Sequence, residues 1–195
     1  MRLEFVEGSH TYVDRDTGRV LPGITDLLKR AGIVDDQWYT AEGQERGSEV
    51  HRLTADYDLG LLGCAPGKVA KAHRGYLLGH VQATSILRPS WSHVEEVIGH
   101  ERLRFAGRPD RVGMVYGAVS VFEVKTGAYD RSHMIQTALQ AILVAPEVGL
   151  PPEAITRYVE YLQNNGKWKV EQFRERRDFA EANELLRRFS QGRAA

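Results

Sequence analysis

Cysteine is almost missing from this chain: Cys64 stands alone among 195 residues. That excludes disulfide frameworks, zinc ribbons and cysteine-ligated iron–sulfur clusters. Long apolar runs are missing as well. The longest, Ala141 to Ala145, is far short of the roughly 18 residues a membrane span requires. Met1-Arg2-Leu3-Glu4 lacks the layout of a signal peptide. Net charge is zero, with 26 Lys+Arg against 26 Asp+Glu, so the even basic coat of many nucleic-acid binders is absent. No G-x-x-x-x-G-K-[ST] or G-x-G-x-x-G is present to cradle phosphates, and no G-x-S-x-G to present a serine nucleophile. These absences predict a soluble, cytoplasmic protein without membrane association, and they speak against nucleotide-binding and serine-hydrolase chemistry.

What is present suffices for a core. At 42% hydrophobic residues the chain escapes intrinsic disorder. Its length suits one domain over 1–195 that buries roughly 70% of its unfolded surface. The zero net charge conceals an asymmetry. Residues 1–60 hold 7 basic and 12 acidic side chains, residues 61–166 hold 11 and 9, and residues 167–195 hold 8 and 5. A basic surface is therefore expected in the later segments.

Leu3–Val6, His10–Val13 and Arg19–Leu21 read as short strands, the last two separated by the turn Asp16-Thr17-Gly18. Ile24–Ala31 reads as a helix stopped by Gly32, a longer helix is predicted from about Gln37 to Leu59, and another opens at Pro66 with Val69, Ala72, Tyr76 and Leu77 at helical spacing. After Pro89, His93–Ile98, Arg102–Ala106, Arg111–Val115 and Val119–Lys125 read as an antiparallel meander. Asp130 caps a predicted helix with Ile135, Ala138, Leu139 and Ile142 on one face, closed by Pro146. Ile155–Leu162 and Lys167–Phe173 flank the hairpin signal Asn164-Asn165-Gly166. Asp178 begins a last helix striped by Phe179, Ala182, Leu186 and Phe189. The expected class is mixed α/β, with a small N-terminal β cap and a C-terminal hairpin plus helix.

Residues 105–127, FAGRPDRVGMVYGAVSVFEVKTG, carry the chemistry. Alternation puts Val119, Val121, Glu123 and Lys125 on one strand face and Ser120, Phe122, Val124 and Thr126 on the other. Both faces hold large apolar groups, as in a central strand. A two-residue turn at Tyr116-Gly117 pairs residues whose numbers sum to 233, which sets Asp110 opposite Glu123. Carboxylates that close repel unless a cation lies between them, and burying them without one costs several kcal/mol per ion. A divalent cation such as Mg²⁺ takes its ligands from one or two carboxylates and water. Lys125 beside it is suited to orienting a nucleophile or neutralising charge on a phosphate. A surface hairpin with an ordinary Glu–Lys pair is the plainer alternative.

The order G-R-P-D, then E-V-K on the next strand, resembles the PD-(D/E)XK nuclease superfamily, and within it the RecB-type and phage exonuclease branch. The resemblance implies a restriction-endonuclease-like core over about 37–162, with Asp110 and Glu123 as Mg²⁺ or Mn²⁺ ligands, Lys125 as catalytic, and Gln136 on the following helix in the site. His133, Gln136 and Gln140 form one polar stripe. Gln140 stands where the resemblance would place a tyrosine, and it is assigned no role. The segment R-G-S-E-V-H ends in His51, which the resemblance makes a further metal ligand. Glu95 matches a glutamate ahead of the G-x-x-D strand; alternation lets only one of Glu95 and Glu96 face the site, and Glu95 is chosen. Substrate contacts are expected from Arg46, Arg108, Arg111 and Arg131, and Trp38, Trp91 and Trp168 are candidates for base stacking. The function so implied is a metal-dependent deoxyribonuclease, an exonuclease of phage or prophage recombination, repair or DNA degradation. A structure-selective endonuclease (junction resolvase or restriction type) and a silent DNA-binding module share the same residues. Strand state, polarity, RNA against DNA, homo-oligomerisation and a recombination partner protein stay open at this point.

Overall fold

The computed structural model describes residues 1–6, 9, 11–34, 40–62 and 69–191. Strands β1 (Leu3–Val6), β2 (Thr11–Asp14) and β3 (Arg19–Leu21) pair antiparallel as a sheet of their own. The buried Asp14 closes the turn after β2, accepting hydrogen bonds from Thr17 Oγ1 at 2.8 Å and the Asp16 amide at 3.1 Å. Helix α1 (Ile24–Arg30) follows directly, and Gly32 leaves it at a left-handed φ of 68°. Helix α2 (Ala41–Asp58) is capped by Thr40, whose hydroxyl accepts from the Gly43 amide at 3.0 Å. The predicted start at Gln37 lies outside the described residues.

Two helix predictions shift. Pro66 is outside the described residues, but 69 and 70 are irregular and 71–73 form a turn, so α3 (Arg74–Leu87) starts beyond Val69 and Ala72. Helix α4 (Ser132–Val148) runs through Pro146, which in a last turn removes one amide donor without ending the helix; Gly149, at φ 68°, ends it.

Five strands form the main sheet: β4 (Ser90–Val94), β7 (Arg111–Val115), β8 (Ala118–Lys125), β9 (Thr156–Leu162) and β10 (Trp168–Phe173), in the order β10-β9-β8-β7-β4. The expected four-strand meander is corrected here. Glu95 takes a left-handed φ of 54° and breaks the predicted strand His93–Ile98 in two. Its second half, β5 (Ile98–His100), pairs with β6 (Phe105–Gly107) as a separate hairpin, which leaves β4 to pair with β7. Gly113 permits that pairing at close range, because a Cβ there would lie 2.2 Å from the Ser90 carbonyl oxygen. The β7–β8 turn has positive φ at Tyr116 (50°) and Gly117 (79°), the signature of a type I′ turn. Arg111 pairs with Phe122, the register expected from the sequence.

β8 and β9 are parallel, so α4 serves as the crossover between them. Helix α5 (Arg176–Gln191) begins upstream of its predicted cap. Asp178 is instead buried and accepts from Arg157 Nη2 at 2.8 Å. The result is a mixed sheet with five helices among the described residues, consistent with a restriction-endonuclease-like fold. One apolar core joins α1, α4 and α5 to Val112 and Val121, and the other joins α2 and α3 to Phe122, Val124 and Tyr158. Alternation along β8 therefore feeds both layers. No described helix is long and apolar enough to cross a membrane.

A chain of buried charge runs through the α2–α3 layer. Arg111, fully buried, donates from Nε to Asp58 at 2.6 Å, from Nη2 to Thr54 at 3.2 Å, and from Nη1 to the Asp110 carbonyl at 2.6 Å. His80 sits between Asp58 (3.0 Å) and Glu160 (2.6 Å) with none of its side chain exposed. Burial opposes its charge, but the two carboxylates outweigh burial and raise its pKa to about 9. A histidine with a raised folded pKa holds its proton more tightly in the native state. The stability it adds is complete below the unfolded value, about 6.5, and fades as pH climbs through about 9. We predict that His80→Gln lowers unfolding free energy by about 3–5 kcal/mol at pH 6. Urea titrations should show the gap to wild type closing by pH 9.5.

Candidate active site

The site forms where β8 ends and β7 begins, under the rim of α2. At the carboxyl end of β8, Glu123 is buried on the face turned to α4, 3% exposed. A carboxylate there needs donors. Lys125 Nζ donates to its Oε1 at 2.7 Å, Gln136 Nε2 to the same oxygen at 2.6 Å, and Gln140 Nε2 to Oε2 at 2.5 Å. Burial and then the nearby Asp110 charge push the Glu123 pKa up. Asp110 Oδ2 accepts from the Val124 amide at 2.7 Å, which stitches the two strands together beyond their last pair. Burial works to raise the Asp110 pKa, but the charge and hydrogen bond of His51 hold it below the usual carboxylate range.

His51 reaches in from α2. Its Nδ1 lies 3.2 Å from Asp110 Oδ1 and 3.4 Å from Glu95 Oε1. Burial disfavours the imidazolium, yet these two carboxylates raise its pKa to about 10. Glu95 is aimed here by its left-handed backbone, a conformation that costs a non-glycine residue about 1–3 kcal/mol. Glu96 points to solvent. His51, Glu95 and Asp110 thus offer one ligand atom each within 4.8 Å of one another. One imidazole and two carboxylates make a donor set for a divalent cation. A proton on His51 bridges the two carboxylates where such a cation would bring its charge.

Other expected residues are placed differently. Glu123 lies outside the ligand group, its oxygens engaged by Lys125 and two glutamines; three donors use three of about four lone-pair positions. Arg108 remains at the site, 3.4 Å from Glu95 and with its guanidinium 5.0 Å over the Phe5 ring. Arg111 is not a substrate contact: its side chain is wholly buried on Asp58, Thr54 and the Asp110 carbonyl. Arg131 turns away to Glu181 of α5, at 2.7 and 2.9 Å. Arg46 is half-buried and is not among the residues lining the cleft; Arg52, farther along α2, lines it with its guanidinium held by Glu49 at 2.7 Å and Asp56 at 2.6 Å. His133 leaves its stripe for the Tyr161 hydroxyl, 3.0 Å away, and burial with the Lys125 charge pushes its pKa down to about 4. Trp91 and Trp168 pack against the α2–α3 core, and Trp38 lies outside the described residues. Sequence reasoning missed Gln140, although its place one turn beyond Gln136 was the signal for it.

His51, Glu95, Asp110, Glu123, Lys125 and the two glutamines line one open cleft of about 1630 Å³ beside the N-terminal sheet, α1 and α2. No protein-family model and no curated protein matches the sequence. Among solved structures, a protein from Eubacterium rectale named provisionally as an exonuclease is similar at 12% identity and a TM-score of 0.46, over 83% of this chain and 68% of that one. Identity this low transfers no residue's role.

Metal must displace the His51 proton to use that nitrogen. Mn²⁺ affinity of wild type should therefore rise by about tenfold per pH unit between pH 6 and 9. Calorimetric titration should show this dependence flattened in His51→Ala and the affinity itself reduced in Asp110→Asn.

Proposed function

We propose that the chain is a metal-dependent nuclease of the PD-(D/E)XK type that hydrolyses DNA phosphodiester bonds, acting from DNA ends. One observation carries this reading: two buried carboxylates, Asp110 just ahead of β7 and Glu123 on β8, lie side by side, Glu123 paired to Lys125 and Asp110 to His51, which also meets Glu95, all in one cleft. A structural ion pair has no need of a second carboxylate, nor of a strained Glu95 beside it. His51, Glu95 and Asp110 would hold Mg²⁺ or Mn²⁺, with Glu123 adjoining. When bound, the cation supplies Lewis-acid polarisation of a phosphoryl oxygen and lowers the pKa of water.

The protein's own groups do the positioning. Gln136 and Gln140 fix both Glu123 oxygens, so the carboxylate cannot swing away from Asp110. Glu123 in turn anchors the Lys125 ammonium, 2.7 Å away, which is placed to offset negative charge building on the phosphate as water attacks. Arg108 on the cleft wall is suited to a flanking phosphate.

End-labelled linear DNA and closed circular DNA, incubated with Mg²⁺, Mn²⁺ or EDTA, test the proposal. Metal-dependent loss of linear DNA alone is expected; cleavage of circles would make it an endonuclease, and no hydrolysis with either metal would defeat the reading. Lys125→Ala should cut the rate at least about 100-fold while DNA binding changes little, measured well below a melting temperature that falls because Glu123 loses its cation. Single-turnover assays with a parallel gel-shift titration check this.

A further inference from the structure

A second depression, about 550 Å³, is bounded by β3, the β5–β6 connection and the end of α5. Its charge is one-sided. Arg19, Arg102, Arg104 and Arg187 line it with no carboxylate among the lining residues, whereas the site cleft has five carboxylates against six Lys or Arg. In a chain of zero net charge such a concentration is a local departure from the average. Arg104 is paired with Asp14 at 3.1 Å and Arg187 with Glu184 at 2.8 Å. Arg19 and Arg102 are exposed, and neither meets a carboxylate among the described residues.

The depression also touches the site cleft. Val20, Leu21 and Phe189 line both, so the two share a rim at β3 and the last turn of α5. At that rim the Arg30 guanidinium lies 5.1 Å over the Phe189 ring. Between the arginines the floor shows the edges of half-buried Leu103 and Phe189 over the buried Leu186, with Asn183 and Ser190 beside them. Cationic side chains beside apolar edges and one aromatic ring, Phe189, match a strand whose phosphates and base faces are both available. A duplex keeps its bases stacked inside and offers only phosphates to such a wall.

We propose that this groove holds single-stranded nucleic acid continuing from the site cleft, with phosphates on Arg19 and Arg102 and bases against the exposed edges of Leu103 and Phe189. The proposal builds on the nuclease reading but concerns a separate surface, and it assigns the strand state of the DNA outside the site. The groove adds affinity only for strands long enough to cross the shared rim.

The test uses the full chain and the double variant Arg19→Ala/Arg102→Ala. Fluorescence anisotropy in EDTA compares a long oligothymidylate, one too short to leave the cleft, and a blunt duplex. Losing two single-strand phosphate contacts should weaken binding of the long strand about 25-fold at 0.1 M salt and lower the slope of log affinity against log salt by about 1.4. Preference for the long strand over the short one should collapse. Unchanged affinity and slope overturn the groove, as does an equal loss on the duplex, while metal-dependent hydrolysis by wild type still upholds the nuclease. Wild type that binds through these arginines yet hydrolyses nothing keeps the groove and removes the nuclease. Absence of binding by wild type to the long strand overturns the groove outright.

Discussion

The Arg111 guanidinium is the interaction on which the rest of the molecule leans. It sits on the central sheet, wholly buried, and answers to three groups at once: Asp58 and Thr54 at the end of α2, and the carbonyl of Asp110 at the head of its own strand. Through Asp58 it reaches His80 on α3, and through His80 it reaches Glu160 on β9. A fourth approach, 3.5 Å to Glu95, ties in the strained residue after β4. Buried ions are a poor source of net stability, but one left without its partner is very costly. The network therefore acts less as glue than as a register: only one packing of α2 and α3 on the sheet satisfies it.

The same packing sets the chemistry. β8 is a strand with two inward faces, and its alternation sends Phe122 and Val124 to one core and Val121 and Glu123 to the other. Glu123 is tolerated among apolar neighbours because α4 supplies two amide donors one turn apart and the strand supplies Lys125. Asp110 is tolerated because the next strand lends it a backbone N–H and α2 lends it an imidazole. Each carboxylate is thus supported by a different layer, and the two meet only where β7 and β8 adjoin.

Much of this was legible in the sequence where the controlling forces are local. Tyr116-Gly117 dictates a tight turn, the turn dictates the register, and the register sets Asp110 beside Glu123; the two cores follow from simple alternation. The errors arise where distant partners decide. Nothing local says that Glu95 will adopt a left-handed conformation and end β4, so a continuous strand was expected there. Arg111 looked like a phosphate contact because it flanks Asp110, but its partner Asp58 lies 53 residues away in the chain. Asp178 has the spacing of a helix cap and is claimed by Arg157 instead. Gln140 could have been found: it shares a helix face with Gln136, and a buried carboxylate with two oxygens has use for a second amide.

The parallel pairing of β8 with β9 has a consequence for the order of assembly. Antiparallel neighbours can zip from a turn, but parallel ones close only after the intervening crossover has been laid down, so such contacts form late and slowly. Here that crossover is α4, which carries Gln136 and Gln140, and the groups gathered around Asp110 and Glu123 run from His51 to Gln140 along the chain. A polypeptide emerging from the ribosome therefore has no finished site until most of its length has been synthesised and the middle of the sheet has closed. Until then Glu123 lacks the two amides that α4 brings to it and stays hydrated, so the buried arrangement around it is among the last parts of the fold to be completed.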